Sequence, residues 1–240
     1  MSRLIILSLL LAVITYFNHA GTDKTPLREP SLIKLSMHLT QTRANPAASS
    51  QDLSRITFQN GILSLSSVEF LGSPHNTTDF HFTSSLHSQY QLQPEKSPLP
   101  LLEFDVPAGR YRSAKIILHA NSRDSLPAMT VHARWQKKDG PKPIDIHIRL
   151  FDLPRILSLE VKPEGKERSL MFPRQGFSNL QIRIDPMQLF DPAVMDQLQE
   201  AKMQDTPTGR KVILSRHHNP HIHDRLTENM HESIRAVLQR

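Results

Sequence analysis

The residues with most chemistry to offer fall near the end of the chain, where His217, His218, His221 and His223 crowd together, followed by Asp224 and then His231. Neutral imidazole is a good ligand for copper, nickel and zinc. Two histidines at i and i+2 share a side when the backbone is extended, so His221 and His223 read as a pair able to meet one ion. Pro220 stiffens the chain between the two halves of the cluster. A held metal needs several converging donors with hydrogen-bonded partners behind them, and a polar loop gains these only from the surrounding fold. The cluster therefore carries two readings: a solvated histidine-rich loop, or a copper, nickel or zinc site built from His217, His218, His221 and His223.

A second group lies on residues 129–151, MTVHARWQKKDGPKPIDIHIRLF. Strict alternation puts Met129, Val131, Ala133 and Trp135 on one face, and Ile144, Ile146, Ile148 and Leu150 on one face, which is the pattern of a β-hairpin with a buried side. In the register that sets Trp135 opposite Ile144, Arg134 meets Asp145 and His132 meets His147. Pro141 and Pro143 remove ladder donors, so the turn is wider than Asp139-Gly140 alone would make it. A two-residue slip would keep the buried row and separate the histidines. His119, on the preceding strand, is a third member if it reaches the same surface. Polar strand faces often carry histidines without using them, and that remains the plainer reading of His119, His132 and His147.

Local catalytic motifs are missing. There is no GxSxG elbow, no HExxH, no glycine-rich phosphate loop and no EF-hand pattern, and Glu160, Glu164 and Glu167 fit a solvated strand edge and turn. A site assembled from distant loops would leave no such trace, so an enzyme stands as the last alternative. The net charge of +6 arises from 29 basic and 23 acidic residues scattered along the chain, without the clustered basic and aromatic stripe that nucleic-acid binding uses. With no cysteine, disulfides, thiolate metal sites and a cysteine nucleophile are excluded.

The elements that must position these residues are mostly strands. Arg3 followed by the apolar run at 4–17 has the form of a secretory signal, with Ala20-Gly21 as the cleavage point and Asn18 a large residue for the third position back from it, so retention as a membrane anchor is the alternative. Residues 21–30 form a tether. Alternating runs then mark about nine strands across residues 31–187, including one through Asn60-Gly61, read either as a hairpin turn or as a bulge in one long strand. A turn at Val106–Gly109 predicts a hairpin with Asp105 facing Arg110, Glu103 facing Arg112 and Phe104 facing Tyr111. Asp191-Pro192 then starts an amphipathic helix running to Met203, and a last helix carries Leu226, Met230, Ile234 and Leu238 on one stripe. Residues 188–240 are thus predicted to form a helical extension on an antiparallel β-sandwich.

Four stretches, ITFQNGILSLSSVEFLG, FDVPAGRYRSAKIIL, GPKPIDIHIR and the end from NLQIRIDPMQLF to HIHDRLTENM, together resemble uncharacterised envelope lipoproteins of Bacteroidota. The resemblance implies an Ig-like or prealbumin-like β-sandwich and supplies no catalytic residues. This chain lacks the lipobox cysteine of that group, and its histidine cluster before Asp224 is richer. The resulting expectation is an exported, non-catalytic cell-envelope or periplasmic protein that holds a small ligand or an envelope partner, with no resident cofactor. Its rivals are a metal-binding protein using His217–His223 and an enzyme with a non-local site.

Overall fold

The structure, a computed structural model, describes residues 29–40, 56–94, 96–121, 126–137, 142–150, 156–165, 169–207 and 209–239. The leader, most of the tether and the Asp139-Gly140 turn lie outside them. Among the described residues the protein is mainly β, a curled, mixed half-barrel sheet of 13 strands with two short α-helices.

Its longest strand organises the rest. β2 (Ile56–Pro74) runs unbroken through Asn60-Gly61, with the register shifting between Phe58 and Asn60, so the bulge reading holds and the hairpin reading does not. One edge of β2 pairs with β3 (Phe80–Leu92). The other edge is shared lengthwise: its first part pairs with β6 (Met129–Trp135) and its second part with β5 (Gly109–Ala120). From β6 the sheet continues through β7 (Ile144–Leu150) to β12 (Gly209–Leu214) and β11 (Met203–Thr206). From β5 it continues through β8 (Ile156–Pro163), β13 (Ile234–Gln239), β10 (Phe177–Ile184) and β1 (Pro30–Leu39) to β4 (Leu99–Pro107), with short β9 (Leu170–Phe172) also on β5.

The expected antiparallel sandwich is corrected in three places. The sheet is mixed, because β1 on β10, β12 on β7 and β13 on β8 are parallel. The hairpin expected at Val106–Gly109 does not form. The chain instead crosses at Gly109 (φ 138) from β4, which pairs with β1, into β5, which pairs with β2. Glu103 accordingly faces Lys34, and Phe104 and Tyr111 meet through Phe70 rather than each other. Glu103 and the two aromatics thus find their contacts on other strands.

The end of the chain also folds differently from the expected helical extension. The helix named here α1 (Pro192–Gln199) starts as expected, with the Asp191 carboxylate accepting from Val194 N at 2.7 Å, but stops before β11. The last helix, α2 (Pro220–Ser233), ends at Ser233 and the chain becomes β13, inserted between β10 and β8. Leu226 and Met230 are buried on the helix while Ile234, Ala236 and Leu238 are buried on the strand. The region expected as a helical extension therefore supplies strands to the same sheet.

The strands of the 129–151 hairpin, β6 and β7, pair in the register that sets Trp135 opposite Ile144. Met129, Val131, Ala133, Trp135, Ile144, Ile146, Ile148 and Leu150 are all buried in one continuous core. An aromatic cluster fills the other end, where Phe70 touches Phe80, Phe104, Tyr111 and Phe172, and Phe82 stacks on Phe104 at 4.4 Å. Gly72 makes room for it, since a Cβ there would lie 2.5 Å from the Tyr111 ring.

Candidate functional site

The histidine cluster is positioned by a tight turn after β12. Ser215 N–H donates to the His218 carbonyl at 2.8 Å and His218 N–H returns to the Ser215 carbonyl at 3.0 Å. Asn219 follows in the left-handed region (φ 55, ψ 54), which asparagine tolerates better than most residues. Its side chain ties three backbone groups together: Oδ1 accepts from Lys202 N at 2.9 Å, and Nδ2 donates to the carbonyls of Ile213 at 2.9 Å and Lys202 at 3.3 Å. Pro220 then occupies the first helical turn, where its missing N–H costs nothing.

This turn borders a cavity of ≈ 420 Å³ between the segment entering β11 and the start of α2. His217, His218 and His221 line it together with Glu200, Lys202 and Ile213. Three of the four histidines expected as ligands thus share one concavity. His223 does not, because the segment is helical and residues two apart on a helix point about 200° apart. His223 is 2 % exposed, its Nδ1 lies 3.2 Å from Asp224 Oδ1, and its Nε2 has no hydrogen-bond partner among the described residues. The extended reading that aimed His221 and His223 the same way is corrected on that ground. Among the described residues, no three histidine, aspartate or glutamate side chains gather as an ion's ligand set.

On the hairpin, the register is the one that brings the histidines together: His132 pairs with His147, Arg134 with Asp145 and Trp135 with Ile144. The imidazole centroids are 4.4 Å apart with the rings tilted by 35°. Arg134 Nε lies 3.2 Å from Asp145 Oδ1 on the same surface. Both imidazole pKa values are lowered, chiefly by burial; Arg149 adds to this for His132, and His132 and Lys211 for His147.

His119 is not part of this pair. It sits on β5, and its Nε2 approaches Glu69 Oε1 at 2.5 Å while His81 Nε2 approaches Glu69 Oε2 at 2.9 Å. Those hydrogen bonds hold the Glu69 carboxyl below its usual value. Glu69 and His81 were not singled out from the sequence, and the available signal was weak: two polar positions on strands whose pairing was not known.

One relation between the expected sites was invisible in the sequence. Ile213 on β12 pairs in parallel with His147 on β7, and neighbours in register share a face of the sheet. Because Ile213 also lines the cavity, the His132–His147 pair and the His217–His221 wall stand on one continuous face. Lys211, paired with Asp145, belongs to the same surface.

Comparison of the chain with protein-family models, with curated proteins and with solved structures gives no match. Among the described residues no helix is long and apolar enough to cross a membrane.

Proposed function

We propose that this is an exported, non-catalytic protein of the cell envelope that binds a small anionic molecule in the cavity beside the Ser215–Asn219 turn. The carrying observation is the lining itself, on which Lys202, His217, His218 and His221 come together around the start of α2. Ammonium and imidazole N–H groups donate to an anion, and the positive end of the helix dipole favours the same charge. Glu200, on the same lining, offers an acceptor to a hydroxyl or amine of the ligand. The volume suits a metabolite-sized molecule. The envelope location draws on the leader and on the resemblance to envelope proteins.

The test is titration of the chain from Gly21 with inorganic phosphate and with acetate, following the histidine ring signals by NMR. Saturable shifts at His217, His218 and His221, abolished in Lys202→Ala, support the reading. Signals that stay still, or that move alike in all exposed histidines, defeat it.

A further inference from the structure

The His132–His147 pair is the strongest feature that the cavity does not use. β6 is flanked by β2 and β7, and β7 by β6 and β12, so both histidine backbones are held by strand pairing on both sides. The rings face each other across the pair at 4.4 Å between centroids. With each ligating nitrogen about 2.1 Å from a shared ion, two imidazoles sit roughly 4.5–5.5 Å apart centre to centre, and the observed separation lies just under that range. Both histidines are half-exposed, so the rings are open to solvent and to an ion.

We propose that His132 and His147 form a two-imidazole chelate for a divalent copper or zinc ion on the outer face of the β6–β7 hairpin. Neutral imidazole suits both metals, and a rigid sheet removes the rotational freedom that makes histidines on a loop poor ligands. Two protein donors leave the remaining coordination positions to water or to a donor brought by another molecule. Asp145 and Arg134 neutralise each other beside the pair, while Arg149 and Lys211 stand close enough to oppose a cation. The chelate is therefore an open capture site of modest affinity, unlike a closed structural centre. It is independent of the cavity, which lies beyond Ile213 on the same face.

The experiment uses the chain from Gly21 carrying His217→Ala, His218→Ala and His221→Ala, so that the cavity histidines cannot contribute. Calorimetric titration with copper(II) is expected to show one ion per chain, and His132→Asn or His147→Asn to weaken it at least about tenfold, as loss of one of two donors requires. Electron paramagnetic resonance of the copper form is expected to show coupling to two equivalent nitrogens. Binding that neither substitution changes overturns the proposal. Should the variants fail to fold, the unsubstituted chain decides: on adding zinc(II), the ring signals of His132 and His147 must shift first and together. If those of His81 and His119 move first, the ion belongs beside Glu69 and the proposal fails.

Discussion

Asn219 is the residue on which the cavity wall depends. Alanine there would keep a left-handed backbone that costs a non-glycine residue roughly 1–2 kcal/mol and would lose the three side-chain hydrogen bonds, each worth about 1 kcal/mol net. Asn219→Ala is therefore expected to destabilise the protein by about 2–4 kcal/mol in urea unfolding, and Asn219→Gly, which relieves the backbone but not the lost bonds, by less. The half-buried histidines give a second outcome at this scale. His132, His147 and His38 all have folded pKa values below 6.5, chiefly through burial. The unfolded chain then binds more protons in the window below that value, so stability rises with pH up to about 6.5 and is level above it. The urea midpoint should fall between about pH 7 and pH 5.5, and His147→Gln should shrink that fall, leaving the share that comes from His38 and the other groups.

At the scale of elements, the hairpin and the C-terminal segment show why one was readable and the other was not. Residues 129–151 alternate with period two on both arms, so the buried row was legible and limited the register to even-numbered steps, while strand pairing in the structure selects the step that sets His132 opposite His147. Residues 220–239 carry Leu226, Met230, Ile234 and Leu238 at spacings of four, which a helix accepts throughout. The final two of those positions are equally consistent with a strand, since a spacing of four is also a multiple of two, and only pairing with β10 and β8 decides between them. The charge pairs expected across Val106–Gly109 misled for a similar reason: β4 and β5 pair with different strands, and Glu103 meets Lys34 instead of Arg112. The strand assignment makes Leu238 a core residue at 3 % exposure within the sheet, between β10 and β8, rather than the last turn of a helix stripe packed on it. Leu238→Ala should cost about 2–5 kcal/mol in the urea unfolding free energy, whereas a frayed helix end would lose well under that. Gln239→Ala, at the margin of the same strand, serves as the mild control.

For the whole molecule, the consequence of placing β13 between β10 and β8 is that the half-barrel cannot be completed until the chain has reached Gln239. β1 likewise waits for β10, and both of these long-range pairings close large loops before any contact compensates for the lost chain entropy. Sequence alone shows the strands but not this order, because topology is set by which edges meet and not by the pattern within each run. The arrangement argues for slow, cooperative folding late in synthesis. Refolding from urea, followed by Trp135 fluorescence, is expected on the millisecond-to-second scale typical of sheets dominated by non-local pairing. A chain ending at Ser233 should retain no cooperative transition, because removing β13 exposes the edges of both β10 and β8 and strips Ile234, Ala236 and Leu238 from the core. A shortened chain that still unfolded sharply, with Trp135 buried, would show instead that the β2–β6–β7–β12 region folds without the rest of the sheet.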